Sequence, residues 1–404
     1  YFIYAFYTKT MQRKSVIVAA KRTPIGAFQG GLSPLSASDL GALVIKNILD
    51  DAKVETHQVD EVIMGNVLSA GQGQAPARQA TLKSGCSNSV ESLTINKMCG
   101  SGLKAVMIAD QAVRCGDADI VVAGGMESMS NAPHLIQDIR SGKRLGHGKF
   151  IDSMIHDGLW DVYNDKHMGN CAEMLAIDRN YTRESQDEYA IDSYNRSIMA
   201  IEKGIFNTEI VPVEVPKRGG GSILIEKDEE PANVIFEKIP KLRPAFESSG
   251  TITAGNASKL NDGAAALLVM EEQKAKELGI KPLGSILGHL SSAHEPEWFT
   301  TAPGKAIEAL LNKLDINSDN IDLWEINEAF SVVSMAAIED FNLNKEKVNI
   351  YGGAVALGHP IGASGARILT TLINGMERTD SKLGLATLCI GGGEASALII
   401  QRHD

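Results

Sequence analysis

Among the five cysteines of this 404-residue chain, two stand in settings that suit reaction chemistry. Cys99 lies in Asn96-Lys97-Met98-Cys99-Gly100-Ser101-Gly102, directly ahead of a run with apolar residues at helical spacing. A thiol there meets unpaired N–H groups and the positive end of a helix dipole, which is expected to favour thiolate and lower the pKa. The flanking glycines let a substrate carbonyl approach the backbone. Free cysteine is also among the most buried residue types, so packing is the competing reading of this segment taken alone. His359, in Gly358-His359-Pro360-Ile361-Gly362-Ala363-Ser364-Gly365, is fixed between glycine and proline ahead of a second helix start. Imidazole titrates near neutrality and suits a general base or an oxyanion donor. Cys389, followed by Ile390 and Gly391-Gly392-Gly393, puts another thiol at a strand end, where buried strand cysteine is the alternative. Asn327 opens Asn327-Glu328-Ala329-Phe330 and is either catalytic or an ordinary helix N-cap.

The elements that must position these groups alternate in the α/β manner. Residues 15–19 read as a strand, 38–52 as a helix and 61–66 as a strand. The helical run 101–114 (Leu103, Val106, Met107, Ala109, Val113) precedes a buried-type strand, 118–123, expected to end in a Gly124-Gly125 turn. The second half repeats this pattern: a strand over 322–326, then Ser364-Gly365 opening the helix 366–376, then the strand 383–390 ending in three glycines. His359 and Cys99 thereby take corresponding places in an internally duplicated chain. A stretch of different texture lies between the halves, about 129–258, with paired charges, Pro212, Pro216, Pro231, Pro240 and Pro244, and Gly219-Gly220-Gly221. It reads as a long insertion capping one half.

Thirty-nine Lys and Arg against 50 Asp and Glu give a net charge of −11, which opposes a backbone-reading nucleic-acid binder. An anionic ligand must therefore meet a local basic patch. The odd cysteine count, with no CxxC pair, supports neither a disulfide framework nor a zinc ribbon and points to a reducing, cytoplasmic protein. No run of 18 apolar residues is present. The first ten residues are aromatic-rich but lack signal or transit character, so Met11 reads as the natural start and residues 1–13 as a leader or artefact.

Taken together, Asn96 to Gly102, Asn327 to Phe330, Gly358 to Gly365 and Cys389 to Gly393 resemble the thiolase family, and within it the short-chain acetoacetyl-CoA thiolases. The match runs from about Lys14 to Gln401, and the order and separation of the four motifs are more specific than any one of them. One departure is Glu394-Ala395-Ser396, at a position often held by small or neutral residues, and it is expected to leave the chemistry intact. The resemblance implies an α/β thiolase fold: two similar βαβαβαββ halves in a five-layered α/β/α/β/α arrangement with an inserted loop domain. The N-terminal half would occupy 14–128, completed by about 259–280, the coenzyme A-binding loop domain 129–258, and the C-terminal half 281–404. It implies a reversible Claisen condensation of two acetyl-CoA, within fatty acid metabolism, with no permanently bound cofactor. Cys99 would be the acyl-accepting nucleophile, His359 its base and Cys389 the acid/base of the second half-reaction. His359 and a water held by Asn327 would stabilise one oxyanion, and the backbone N–H groups of Cys99 and Gly391 the other.

By the same resemblance His167 and Met168 would line the pantetheine tunnel, joined by Phe246, Ala254, Ser258, Ala329 and Phe330, with Lys238 toward the phosphates. The basic run Arg140, Lys143, Arg144, His147 and Lys149 would belong to a loop assembling homotetramers, dimers of dimers, and attracting the anionic substrate. Tyr194 and Val355 resemble a potassium site of some relatives, although Gly255 stands where alanine is frequent. Competing readings are a degradative 3-ketoacyl-CoA thiolase of broader chain length, a ketoacyl synthase, which Cys389 argues against because histidine normally takes that position, and a non-catalytic acyl-CoA binding module. Neither nucleic acid nor membrane is expected as a partner.

Overall fold

The computed structural model describes residues 13–217 and 219–403; the leader assigned from the sequence lies outside them except for Arg13. Its first half comprises β1 (Ser15–Arg22), α1 (Ala37–Ala52), β2 (Glu61–Gly65), α2 (Pro76–Lys83), β3 (Glu91–Ile95), α3 (Ser101–Cys115) and β4 (Ile120–Ser128). The chain then leaves the sheet for an insertion containing α4 (Met168–Asp178) and α5 (Arg183–Glu202), and returns as β5 (Asn261–Glu271). The second half is β6 (Gly284–Ala293), α6 (Ala302–Leu314), β7 (Leu323–Ile326), α7 (Ser331–Asp340), the single turn α8 (Ala354–Leu357), α9 (Ser364–Thr379), β8 (Leu383–Ile390) and β9 (Glu394–Arg402).

Strand order is β7-β8-β9-β6-β1-β5-β4-β2-β3, with the short segment Gly26–Ala27 pairing on β5. Among the described residues, the two half-sheets pair where Val16 and Ile17 of β1 face Ser285 and Gly284 of β6. Each half repeats one plan. β4 and β5 run antiparallel in the first half as β8 and β9 do in the second. Residues 391–393 join the latter pair, whereas the former pair is joined by the whole insertion.

Burial explains the layering. Successive residues of β4 alternate between two apolar clusters: Ile120 and Val122 pack against Leu40, Ile45 and Ile48 of α1, while Val121 and Ala123 face Leu103 and Val106 of α3. A strand covered on both faces must be apolar throughout, as the sequence of β4 is. The α3 cluster also holds Ile368, Leu369 and Leu372 of α9 with Ala386, Leu388 and Leu398 of the second half, so α3 and α9 form a shared central layer. Ile307 and Leu310 of α6, with Ile338 of α7, cover the outer side of β8 and β9. The result is the five-layered α/β/α/β/α thiolase arrangement. Each fully buried Leu or Ile contributes about 1.5–3 kcal/mol by leaving water.

α3 and α9 touch at two glycines. A Cβ on Gly102 would lie 2.7 Å from the backbone N of Ala366, and one on Gly365 would lie 2.3 Å from that of Leu103. The repeated Ser-Gly pairs are therefore contact points between the duplicated helices, and this contact fixes the distance between the loops ahead of them.

The expected Gly124-Gly125 turn is corrected. β4 continues through both glycines to Ser128 because Gly125 permits a close approach across layers: a Cβ there would lie 2.0 Å from the carbonyl oxygen of Gly362. The insertion is tied down by buried charge. Arg22, at the end of β1, binds Glu209 (2.6 Å) and Asp228 (2.7 Å) with no exposed side-chain surface. Removing one partner of such a group typically costs about 3–5 kcal/mol, because the charge left behind is uncompensated.

Candidate active site

The segment before α3 is shaped by its own polar groups. Ser101 Oγ accepts from Lys97 N (2.8 Å) and donates to Met98 O (2.6 Å), and Asn96 Oδ1 accepts from Met98 N (2.9 Å). These bonds hold Met98 at φ +47°, a left-handed conformation uncommon outside glycine. An ion pair from Lys97 to Glu394 joins the segment to the start of β9. Glu394 thus anchors the loop carrying the thiol. Cys99 is half-buried and faces a cavity of about 360 Å³.

The thiol is not pre-ionised. Desolvation pushes Cys99 up to about 11, with the buried Glu127 carboxylate adding to the rise, while the N–H groups of Gly391 and Cys99 itself pull the other way. The expectation of a lowered pKa is corrected: at this helix start, loss of water outweighs the dipole. The same two N–H groups are oriented toward the sulfur, so an anionic oxygen developing beside it would have donors.

His359 lines the same cavity and is buried. Its Nδ1 is 2.6 Å from Ser364 Oγ, whose own hydrogen goes to Pro360 O at 2.9 Å. Ser364 must therefore accept, which places the imidazole hydrogen on Nδ1 and leaves the lone pair on Nε2. Nε2 has no partner among the described residues. Burial, assisted by the nearby Arg367 guanidinium, lowers His359 to about 3. At neutral pH it is an uncharged base aimed into the cavity.

Cys389 ends β8 with no exposed surface and does not line the cavity. It packs behind the wall with Met168, Phe299, Ala329 and Phe330. Burial first, then proximity to Cys99, raises its thiol well above the ordinary range. The two thiols therefore lie close together and both rest protonated.

Asn327 follows β7 but is not a helix N-cap. α7 begins at Ser331 after Phe330, and the Asn327 side chain, wholly buried, bonds no described group through either its oxygen or its nitrogen. An unpaired buried amide is unfavourable by about 1–3 kcal/mol, so a partner from solvent or substrate is chemically favoured there. Next to it, Glu328 accepts from Ser193 Oγ (2.7 Å), Tyr189 Oη (3.0 Å), Asn349 Nδ2 (3.0 Å) and Val355 N (3.1 Å). That network holds α5 of the insertion to α8 and sets Ala329 and Phe330 against the cavity.

His167, Met168, Phe246, Ala254, Ser258, Ala329, Phe330 and Gly391 all line the cavity. His167 Nδ1 accepts from Gly169 N (3.0 Å), and its ring stacks on Phe246 at 4.7 Å between centroids. Lys238 is exposed in the turn 236–241 and does not reach the cavity. The basic run is exposed on the loop between the short paired strands His134–Ile136 and Phe150–Asp152.

Sequence reasoning missed two groups. Glu127, wholly buried at the end of β4 and raised to about 7 by burial, accepts from the N–H groups of Val67, Leu68 and Gly362, joining two loops near Cys99. Its only signal was a carboxylate inside an otherwise apolar run. Lys259 lines the cavity and sends its ammonium to the carbonyls of Ala254, Ala257 and Val355. Potassium expected near Tyr194 and Val355 does not fit these residues, because the Lys259 ammonium already bonds the carbonyl oxygens of Ala254, Ala257 and Val355 and would repel a second cation. Among the described residues no cluster of His, Cys, Asp or Glu could hold a metal, and no helix is long and apolar enough to cross a membrane.

Known proteins resemble this chain over nearly its whole length. Residues 15–273 match the thiolase N-terminal domain and 280–402 the thiolase C-terminal domain. An acetyl-CoA acetyltransferase of Pseudomonas aeruginosa is 50% identical over 96% of this chain and 99% of its own. Acetyl-CoA acetyltransferase 2 of Arabidopsis thaliana is 51% identical over 96% and 97%. Among solved structures, the Bacillus anthracis acetyl-CoA acetyltransferase superposes with a TM-score of 0.95 at 40% identity, covering 97% of this chain and 99% of that one. A thiolase from Ascaris suum in complex with coenzyme A gives 0.92 at 43% identity over 96% and 100%. With both family domains spanning nearly all of it and its strands in the corresponding layers, the chain belongs to the thiolase family.

Proposed function

We propose that this enzyme is an acetyl-CoA C-acetyltransferase, an acyltransferase that joins two acetyl-CoA into acetoacetyl-CoA and coenzyme A and runs the reverse thiolysis. The observation that carries the reading is a neutral His359 with a free Nε2 lone pair facing the same cavity as the protonated Cys99 thiol. Nε2 takes the thiol proton as Sγ attacks the thioester carbonyl. The tetrahedral oxyanion draws on the N–H groups of Cys99 and Gly391, and the departing coenzyme A thiolate recovers the proton from His359. His359, neutral again, takes the Cys389 proton, and the Cys389 thiolate then removes an α-proton from the second acetyl-CoA. The enolate oxygen is held by the protonated Nε2 of His359 and a water on Asn327, its carbon attacks acetyl-Cys99, and the Cys99 thiolate leaves and recovers a proton from His359. All four motifs of this chemistry are retained, which a non-catalytic binding module would not require. The five free cysteines accord with a reducing compartment, for which the cytoplasm is our assignment.

The substrate is short. Met129, Met154, Leu159 and Ile361 pack with Cys99 in one apolar cluster, and Phe299 adds to the cavity wall. An extra buried CH₂ gains about 0.8 kcal/mol in open apolar space, but forcing it into a filled pocket costs about 1–3 kcal/mol. Spectrophotometric thiolysis across C4 to C16 3-ketoacyl-CoA substrates is expected to show kcat/KM falling at least about tenfold from acetoacetyl-CoA to 3-ketohexanoyl-CoA. Equal or better turnover of C8 to C16 substrates would instead identify a degradative thiolase.

Assembly as a dimer of dimers is part of the proposal. Ile136, Ile139, Leu145 and Phe150 are exposed on the strand-paired loop that carries the basic run, an apolar grouping suited to covering by another chain. Light scattering at moderate salt is expected to report four chains. A stable, fully active monomer would remove this reading.

A further inference from the structure

Lys259 lies in the stretch that leads from the insertion into β5, between Ser258, whose N–H bonds Ala329 O at 3.0 Å, and the cavity-lining Leu260. Its Nζ turns back to Ala254 O, Ala257 O (3.0 Å) and Val355 O (3.5 Å), and stands 5.7 Å from the centroid of the Tyr194 ring. Three segments converge on this one positive charge: the 254–258 loop, which supplies Ala254 and Ser258 to the cavity, α8, which leads through Gly358 to His359, and α5, which carries Tyr194. Burial pulls the Lys259 ammonium down to about 8, opposed by the Glu230 carboxylate, so the cation is retained at neutral pH.

Backbone oxygens converging beside an aromatic face are what a large monovalent cation uses in place of its hydration shell. An ammonium satisfies the same oxygens with directed N–H bonds, and a second cation beside it would be repelled. We propose that Lys259 is the built-in counterpart of a monovalent cation: its ammonium clamps the 254–258 loop to α8, positioning the coenzyme A contacts, so the protein works without potassium. Lys259 is a positioning residue here, and the proposal rests on the thiolase reading only for its substrate. Calorimetric titration with coenzyme A is therefore used beside the thiolysis assay, because binding remains measurable if turnover fails.

In wild-type protein, replacing sodium by potassium at constant ionic strength is expected to leave coenzyme A affinity, KM and kcat unchanged within about twofold. Lys259→Gly, which frees the carbonyls and the space of the side chain, is expected to bind coenzyme A about tenfold more weakly in potassium-free buffer. Added potassium or ethylammonium should restore its affinity and KM, with kcat changing less. Lys259→Met, which keeps the stem without the charge, is expected to be weakened and to resist rescue. Potassium activation of the wild type beyond about threefold would overturn the proposal even if neither variant folds. Wild-type affinity in Lys259→Gly without any added cation would do the same.

Discussion

Cys99→Ser is expected to lower kcat/KM for acetoacetyl-CoA thiolysis by at least about a thousandfold, or ~4 kcal/mol in transition-state stabilisation. Sulfur is needed twice: as a nucleophile that His359 can deprotonate, and as a leaving group whose thioester passes the acetyl group on. A serine hydroxyl is far harder to ionise, and an imidazole held near 3 by burial and Arg367 is too weak a base to compensate. Mixing the wild type with acetyl-CoA should place one acetyl group on the peptide containing Cys99, read by mass spectrometry. Cys86 and Cys171 are buried and Cys115 is exposed at the far end of α3, none of them in the cavity. Acetyl label on any of these three would overturn the assignment. Because the resting group is a thiol near 11, alkylation of the free enzyme by iodoacetamide should be slow at neutral pH and rise with pH.

Cys389→Ser is expected to separate the two half-reactions. The variant should still accept an acetyl group on Cys99, since that step uses His359 and the two backbone N–H groups. Acetoacetyl-CoA synthesis should fall at least about a hundredfold, the usual scale for loss of a positioned acid/base. Exchange of the acetyl-CoA α-proton with deuterium in D₂O should fall with it. Cys389 sits behind the cavity wall with no exposed surface, so its thiolate exists only between the loss of its own proton and the capture of one from the substrate carbon. Near-normal synthesis by the variant would move the acid/base role elsewhere.

What the sequence made legible was local. Cys99, His359, Cys389 and Asn327 each stand at the end of an element that periodicity identifies, and the repeated Ser-Gly pairs mark the duplication. Less legible was whatever depends on the distance between elements. The β4 run reads as if it stopped at Gly124 because glycine pairs punctuate chains, yet Gly124 lies close against the β5 backbone and Gly125 admits a backbone from the other half. A helix start argues for a low Cys99 pKa, but the degree of burial that reverses it is set by Met129, Met154 and Ile361, distant in sequence. Asn327 has cap chemistry, and only the position of α7 shows that the cap is not made. Lys259 is a single lysine in a polar stretch whose function depends on Val355, nearly a hundred residues later.

The long excursion between β4 and β5 bears on how the molecule comes into being. Ser128 pairs with Asp262 and Ile120 with Met270, so the first half-sheet cannot close on the ribosome until the entire excursion has emerged. Until then Val121, Val122 and Ala123 have an open edge, and loop closure at such separation is slow. α3 must wait longer still, because α9, its companion in the central layer, follows β5 in the chain. While everything between α3 and α9 is being made, the nascent chain thus carries a large apolar face uncovered, the condition under which chaperone capture competes with aggregation.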